Sequence, residues 1–306
     1  MDHGPSTKIT ILLTGGTGLI GSKLTKLLLG KGYDVYHLSR RNTAMLGVKT
    51  FYWDVAKREI DRECVDNVDM IIHLAGEGIA NKRWTEERKK EIIESRTESI
   101  RLIYDLLKKN KNNVKSIISA SAIGYYSDRG DELMSESSAP ATDFMGRCCV
   151  AWEAAVDEGK PLGLQITKFR TGVVLDEKGA LPKMAAPVKW WVGSPLGSGK
   201  QWIPWIHVED VIDMYLFAVE NESFNGIYNM VAPNPVTNMQ LTKAIAKTLH
   251  KPLWLPKVPA FALKLLLGEM STIVLSSTKV SAQKIEDAGF KFKYPYVAEA
   301  LKDIYG

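Results

Sequence analysis

Glycines in the stretch ITILLTGGTGLIG, residues 9–21, have the spacing of a phosphate-binding turn. An apolar run typical of a strand buried on both faces leads into them, and leucines at helical spacing follow. In such a strand–turn–helix unit, free backbone N–H groups and the positive end of the helix dipole face an anion. Gly15 would permit the tight turn, Gly18 the close approach of a pyrophosphate, and Gly21 the packing of helix on strand. The stretch therefore predicts dinucleotide binding, with contacts from Gly15, Thr17, Gly18, Leu19, Ile20 and Gly21.

Two arginines follow the second predicted strand, residues 33–38, where the adenosine ribose would lie. Sites that prefer NAD have Asp or Glu at this position, whereas this sequence has Ser39, Arg40 and Arg41. Guanidinium groups suit a 2′-phosphate through charge-assisted hydrogen bonds. The sequence therefore predicts NADP(H), with Arg40 as the first candidate and Arg41 as the second. Solvated surface arginines are the alternative interpretation.

Other candidate contacts stand at the ends of later predicted strands. Asp54 follows the third strand and is placed at the edge of the adenine. Small residues after the fourth strand would let the backbone pass close to the cofactor, which adds Leu74, Ala75 and Gly76. Arg170 closes the sixth strand and is assigned to the same site, where it could also clamp an anionic substrate.

The elements that must position these residues alternate as strand and helix, which predicts an α/β fold with a parallel, doubly wound sheet. Residues 176–205 break the alternation with many Gly, Pro and Trp, and are predicted to be a pocket-forming loop or lid. Beyond residue 233 the patterns are short and mostly helical. We therefore predict an NADP-binding Rossmann-type domain, residues 1–175 plus 206–232, and a smaller substrate lobe, residues 176–205 plus 233–306.

Composition narrows the class of protein. The chain has 306 residues, 45% of them hydrophobic, and a formal net charge of +5 that we interpret as spread along the chain. Because no apolar run reaches the ~18 residues of a membrane span and the N-terminus MDHGPSTK has no apolar core, we expect a cytoplasmic protein without a membrane partner. Cys64, Cys148 and Cys149 form neither a disulfide framework nor a metal motif. We expect no nucleic-acid partner and no metal.

Many motifs in order resemble one family. TGGTGLIG, LAGEGI, SASAIGYY, PLGSGKQWIPWIHVEDV, YNMVAP and the AGFKFKYP tail are similar to the sugar-nucleotide-epimerase-like proteins of the atypical extended short-chain dehydrogenase/reductase group. The resemblance runs from about residue 10 to residue 301. It implies a Rossmann domain with NADP(H), a small C-terminal domain, and epimerase or reductase activity on a carbonyl or nucleotide-sugar-like substrate. A homodimer is the assembly expected for reductases of this kind.

The catalytic positions that the resemblance implies are only partly retained. Extended reductases have a serine or threonine after the fifth strand, and Ser121 stands there; a strand-end serine that caps a turn is the alternative interpretation. They also have Tyr-x-x-x-Lys on the next helix, but aligning Trp152 and Glu153 on that helix places Met145 and Cys149 at the two positions. A shift by one residue offers Phe144 and Cys148 instead, so the dyad is absent in either register.

Two tyrosines close to Ser121 are candidates to replace the dyad. Tyr126, or a bound water, would move the proton, and Tyr125 is the second candidate; packing of a phenol against the nicotinamide is the alternative. A free tyrosine titrates near ~10, so a cation is needed to make it a base at neutral pH. Arg147, Arg170 and His207 could each supply it. Two functions therefore stay open: an NADP(H)-dependent oxidoreductase or epimerase, and an NADP(H)-binding sensor or scaffold without catalysis.

Overall fold

An eight-stranded sheet flanked by helices forms the centre of the computed structural model, which describes residues 8–41 and 45–306. The strands are β1 Thr10–Thr14, β2 Asp34–Ser39, β3 Val48–Asp54, β4 Glu59–Ile60, β5 Met70–His73, β6 Ser116–Ala122, β7 Leu133–Met134, β8 Gln165–Thr171, β9 Val173–Leu175, β10 Trp202–Ile203, β11 Trp205–His207, β12 Gly226–Met230, β13 Val236–Thr237 and β14 Lys279–Val280. The helices are α1 Leu19–Gly30, α2 Glu86–Lys109, α3 Phe144–Asp157, α4 Ala180–Lys189, α5 Val208–Glu220, α6 Asn238–Thr248, α7 Ala260–Leu267, α8 Thr272–Leu275, α9 Gln283–Asp287 and α10 Val297–Tyr305. Residues 1–7, on which the N-terminal expectation largely rests, lie outside the described part.

The sheet has the order β12-β8-β6-β5-β1-β2-β3-β4, so the direction of winding reverses between β1 and β5. Its neighbours are parallel apart from β3 and β4. Thr14 of β1 lies opposite Leu38 of β2 and His73 of β5, so the carboxyl ends of these strands meet. Ligands of open α/β sheets bind outside the carboxyl ends at such a reversal. The predicted α/β fold is confirmed, and the glycine turn lies at this point.

Strand β1 is buried on both faces, as its apolar run predicted. Leu13 packs in one layer with Leu24 and Leu28 of α1, and this layer also holds α5. Leu12 faces the opposite layer, where Ile103 of α2 and residues of α3 pack. Because side chains alternate along a strand, one short apolar sequence anchors both layers and fixes the carboxyl end of β1.

A smaller, mostly helical lobe has its own apolar cluster. Its members come from α4, α6, α10 and neighbouring strands, and include Leu181, Val188, Trp205, Leu241, Ile245 and Leu301. Val280, Ile285 and Phe290 pack instead with the main sheet. The sequence-based domain boundaries stay a prediction.

The prediction of a loop or lid at 176–205 is wrong for its central part, because α4 occupies residues 180–189. Leu181, Ala185 and Val188 are buried and recur at helical spacing. Pro182 lies in the first helical turn, where the missing N–H has no partner to lose, and Pro187 costs one helical hydrogen bond. Burial of this apolar face therefore outweighed the prolines. Within the described residues, no helix is long and apolar enough to cross a membrane.

Candidate functional site

The glycine turn between β1 and α1 packs tightly against the start of α1 and against β2. Gly15 has a φ of +69°, a conformation that side chains disfavour. The backbone N–H of Gly18 donates to the carbonyl of Gly15 at 3.0 Å. A Cβ added to Gly21 would lie 2.2 Å from that same carbonyl oxygen, and one added to Gly16 would lie 2.4 Å from the ring of His37. The turn therefore leaves no room for side chains on its inner side.

His37 of β2, which sequence reasoning missed, packs against Gly16 of the turn and is linked to Gly21 through Thr25. Its Nε2 is 2.8 Å from the hydroxyl of Thr25, and that hydroxyl donates to the carbonyl of Gly21 at 2.7 Å. Because the single hydroxyl hydrogen is used there, His37 carries its proton on Nε2 and donates it to Thr25. Burial lowers the pKa of His37, which favours this neutral form. The sequence feature that could have identified His37 is a histidine within the second predicted strand.

His73 of β5, which sequence reasoning also missed, connects the end of β1 to helix α2. The hydroxyl of Thr14 accepts from the N–H groups of Leu74 and Ala75 at 3.0 Å each, so its hydrogen goes to Nδ1 of His73, 3.0 Å away. His73 then donates from Nε2 to Ser99 on α2 at 3.1 Å. Burial lowers the pKa of His73 to about 4, so the ring stays neutral. This chain of hydrogen bonds fixes the predicted contacts Leu74 and Ala75.

A buried arginine on α2 holds the next residues of the same segment. Arg96 donates to the carbonyls of Ile92 and Glu77 at 2.8 and 2.9 Å, and its guanidinium lies 5.0 Å from the ring centroid of Trp152. A Cβ on Gly76 would lie 3.2 Å from the Arg96 side chain. Gly76 thus lets the backbone pass over a buried cation, and no local sequence signal marked Arg96.

Four of the predicted cofactor contacts line one cavity of about 530 Å³. They are Arg40, Asp54, Ala75 and Gly76, which come from the ends of three different strands. Arg40 and Arg41 are exposed, and no ion pair within residues 8–41 and 45–306 involves either. The N–H of Arg41 donates to the Ser39 hydroxyl at 3.2 Å. Three glutamates of α2 also line the cavity: Glu91, Glu94 and Glu98.

Ser121 lies at the end of β6 and is tied to a buried ion pair. Its Oγ donates to Oε1 of Glu153 on α3 at 2.8 Å. Arg170 of β8 contacts both carboxylate oxygens of Glu153, at 2.8 and 2.9 Å. Burial opposes the charge of Arg170, but the hydrogen bonds and charge of Glu153 outweigh it and raise the pKa of Arg170. Arg170 is thus held by Glu153 next to Ser121.

The two tyrosines surround the same arginine in different ways. Tyr126 is fully buried; its hydroxyl donates to Asn229 at 2.7 Å and accepts from Arg170 at 2.9 Å. Burial, which outweighs the nearby Arg170, raises the pKa of Tyr126 to about 12. Tyr125 is partly exposed, and its ring lies 3.4 Å from the Arg170 guanidinium. Tyr126 is therefore committed to protein partners, whereas Tyr125 borders solvent.

The helix that carries the dyad positions packs against the turn after Ser121. A Cβ on Gly124 would lie 2.9 Å from Met145 and 3.6 Å from the sulfur of Cys149. The Cys149 thiol is 3.5 Å from the carbonyl of Ala122, and burial raises its pKa. Met145 and Cys149, the pair that the Trp152–Glu153 register assigned to the dyad positions, therefore both face this turn.

Of the three residues considered as a cation for the tyrosines, Arg170 alone contacts them within the described chain. Arg147 is exposed and donates to the carbonyl of Thr142. His207 caps α5 by accepting the Glu209 N–H and lies against Tyr294. Burial lowers the pKa of His207. In the part of the chain that the structure describes, no cluster of His, Cys, Asp and Glu could hold a metal ion.

Comparison with known proteins gives matches over nearly the whole chain. The sequence model of the NAD dependent epimerase/dehydratase family matches residues 11–147 and 176–230, and that of a domain of unknown function (DUF1731) matches residues 258–304. The epimerase family protein YfhF of Bacillus subtilis (strain 168) is 38% identical over 299 residues, which are 97% of this chain and 98% of the relative.

Solved structures give the same result. The human epimerase family protein SDR39U1 (isoform 2), solved with NADPH, is 28% identical with a TM-score of 0.84, and covers 97% of this chain and 99% of its own. A nucleoside-diphosphate sugar epimerase from Corynebacterium glutamicum is 29% identical with a TM-score of 0.79, and covers 98% of this chain and 59% of its own. The family resemblance predicted from the motifs is confirmed.

Proposed function

This chain belongs to the NAD dependent epimerase/dehydratase family, and from that premise we propose that it is an NADP(H)-dependent oxidoreductase or epimerase. The substrate class that we propose is a carbonyl compound or a nucleotide-sugar-like molecule. The observation that carries the proposal is the position of the glycine turn at the reversal between β1 and β5, where residues that follow β2 and β5 also line the Arg40 cavity. Ser121 lies at the end of β6, the next strand of the same sheet. The relative solved with NADPH supports the choice of cofactor. A cytoplasmic location and a homodimer stay predictions.

The residues present fit a dinucleotide. A Cβ on Gly18 would touch the Gly15 carbonyl oxygen at 3.2 Å and no other described atom within 4 Å, so the outer side of the turn is open. Backbone N–H groups of the turn would hold the pyrophosphate, Arg40 and Arg41 the 2′-phosphate, and Asp54 the adenine edge. When bound, the nicotinamide supplies or accepts a hydride.

The cofactor assignment is tested by calorimetric titration with NADPH and NADH. We expect wild type to prefer NADPH, and Arg40→Ala to lose about 10-fold to 100-fold of NADPH affinity while NADH affinity changes little, because a charge-assisted contact to a phosphate contributes about 1.5–3 kcal/mol. Arg62→Ala, on the turn before β5, is the surface control. Equal losses for both nucleotides would contradict the role of Arg40, and absence of binding by either would overturn the proposed function.

Ser121 and Tyr125 are the residues that we propose for the chemistry. Because the Ser121 hydrogen is donated to Glu153, its lone pairs are free to accept the hydroxyl of an alcohol substrate. Donation to a carbonyl oxygen requires Ser121 to rotate away from Glu153. Sequence reasoning preferred Tyr126, but both partners of its hydroxyl are protein groups. We therefore assign the proton transfer to Tyr125, whose ring lies on the Arg170 cation.

The catalytic role of Ser121 is tested on a panel of carbonyls and nucleotide sugars with NADPH. We expect Ser121→Ala to lower kcat about 100-fold, as for removal of one hydrogen bond to the reacting oxygen, with nucleotide affinity unchanged. Ser119→Ala is the matched control, since Ser119 is a buried serine on the same strand whose hydroxyl donates to the carbonyl of Ala120. Unchanged turnover in Ser121→Ala would remove Ser121 from the mechanism.

A second function, an NADP(H)-binding sensor or scaffold, is favoured by Met145 and Cys149 at the dyad positions and by the engagement of Ser121 with Glu153. It predicts NADPH binding without hydride exchange on the substrate panel. It further predicts that a partner captured by the protein binds with an affinity that depends on NADPH. A partner bound equally with and without the nucleotide would exclude the sensing function.

A further inference from the structure

Six large apolar side chains form an exposed patch on the smaller lobe. We call them the tryptophan–leucine patch: Trp190, Trp191, Trp254, Phe261, Leu265 and Leu266. Their exposed fractions run from 51% for Trp191 to 82% for Leu265. Single exposed apolar residues are ordinary, whereas several large ones on adjoining segments are typical of an interaction site. Helix α7 presents three of them and buries Leu263 on its other side.

Hydrogen bonds show that the segments carrying the patch adjoin. The indole N–H of Trp254 donates to the carbonyl of Trp191 at 2.9 Å. Val258 then pairs with the strand-like segment at 195–197, through N–H···O contacts of 2.8 and 2.9 Å. Helix α7 begins two residues later at Ala260, and Phe261 and Leu265 lie on one helix face because they are four residues apart. The segment with Trp190 and Trp191 and the segment that leads into α7 therefore lie side by side.

The two stretches of sequence that carry the patch contain lysines but no acidic residue. Residues 178–208 and 223–268 contain no Asp and no Glu, so the net charge is not evenly spread as the sequence analysis supposed. Lys251 lies over the ring of Trp191 at 4.2 Å, and Lys257 donates to the carbonyl of Ser198 in the adjoining segment. The lysines of these two stretches are Lys178, Lys183, Lys189, Lys200, Lys243, Lys247, Lys251, Lys257 and Lys264.

We propose that the tryptophan–leucine patch binds the surface of an anionic phospholipid bilayer, with α7 lying in the interface. Exposed Trp, Phe and Leu beside lysines is the composition of interfacial membrane segments, where apolar burial and attraction to anionic lipids add. In a symmetric contact between two copies, the lysines of one patch would face those of the other, which disfavours a second copy. A nucleic-acid partner is disfavoured because protein surfaces that bind nucleic acid are mostly polar and positively charged, whereas this patch exposes leucines.

Membrane binding of this kind requires no spanning helix. The expectation of no membrane partner rested on the absence of a long apolar run, which excludes a span but says nothing of a segment that lies on the surface. Helix α7 has 8 residues, of which the one lysine is Lys264. Phe261, Leu265 and Leu266 would enter the lipid while Lys264 reaches the phosphates.

The test is co-sedimentation of the full chain with vesicles of phosphatidylcholine alone and with added phosphatidylglycerol. We expect wild type to sediment with the phosphatidylglycerol vesicles and to stay in solution with phosphatidylcholine alone. Leu265→Ser/Leu266→Ser is expected to weaken this binding about tenfold or more, since two leucines lose apolar burial. Leu46→Ser, which removes a leucine that is 98% exposed elsewhere, is expected to bind as wild type. Tryptophan emission should be quenched by brominated acyl chains in wild type.

Several results would overturn the proposal. The proposal fails if wild type sediments with neither kind of vesicle. It also fails if the double variant binds as well as the Leu46→Ser control, or if wild type sediments but its tryptophan emission is not quenched by brominated acyl chains. A protein that stays in solution but binds a DNA duplex would assign the patch to nucleic acid. A dimer seen by light scattering without vesicles, and lost in the double variant, would assign it to a second copy. Because the exposed leucines contribute little to the core, thermal unfolding of the variants should match wild type.

Discussion

Replacing Arg170 with methionine is expected to lower the free energy of unfolding by about 3–5 kcal/mol, because the buried carboxylate of Glu153 loses the cation that it pairs with. Arg170 is 1% exposed and Glu153 is 6% exposed, so water cannot replace the lost contacts. The change also removes the donor to the Tyr126 hydroxyl. Urea denaturation monitored by fluorescence and circular dichroism measures the loss.

Arg101→Met is the matched control for this prediction. Arg101 makes a similar ion pair, with contacts to Glu158 of 2.6 to 3.1 Å, but its side chain is 41% exposed. We expect a loss of about 1 kcal/mol or less there, because exposed pairs contribute little. Equal losses in the two variants would contradict the view that burial makes the Arg170–Glu153 pair critical.

The double variant Arg170→Met/Glu153→Leu adds a second criterion. Removing both charges leaves no uncompensated ion. We therefore expect the double variant to lose less free energy of unfolding than the sum of the losses in Arg170→Met and Glu153→Leu. Ser121 would lose its acceptor in this variant. Strict additivity of the two losses would show that the charges are not coupled.

Acidification from about pH 6.5 to pH 4 is expected to remove about 3 kcal/mol of stability through His73 alone. The folded-state pKa is lowered by burial to about 4, below its ordinary value of 6.5. In this interval the unfolded chain binds a proton and the folded chain does not, so stability falls as the pH falls. The contribution is complete above about pH 6.5 and shows no further change below about pH 4. His37 and His207 add to it with the same sign.

Urea denaturation of wild type and His73→Gln at pH 7, 5.5 and 4.5 isolates this effect. His73→Gln should be less stable at pH 7 and should show a smaller decline on acidification, since glutamine does not titrate. His250→Gln serves as the control, because His250 lies on the surface of the smaller lobe. A wild-type decline that His73→Gln reproduces in full would assign the pH dependence to other groups.

The sequence by itself determined the structural features that depend on residues close together in the chain. The glycines of the first turn, the apolar run before them and the small residues after β5 predicted a dinucleotide turn and a doubly wound sheet, because each depends on neighbours in the chain. Helical register also predicted that the Tyr-x-x-x-Lys dyad is absent, with Met145 and Cys149, or Phe144 and Cys148, at its two positions. Four of the residues predicted from the ends of strands, Arg40, Asp54, Ala75 and Gly76, line one cavity.

Tertiary structure alone decided which polar side chains are partners. His73 meets Thr14 across 59 residues, and Glu153 joins Ser121 and Arg170 across 32 and 17, distances at which no sequence period operates. Burial then distinguished the two adjacent tyrosines: it enclosed Tyr126 and left Tyr125 partly exposed. It also made a helix of residues 180–189 in spite of two prolines. Pairing and burial depend on the whole packed chain, and that is why the sequence by itself proposed Ser121, Tyr125, Tyr126 and Arg170 but neither their partners nor the contribution of His73.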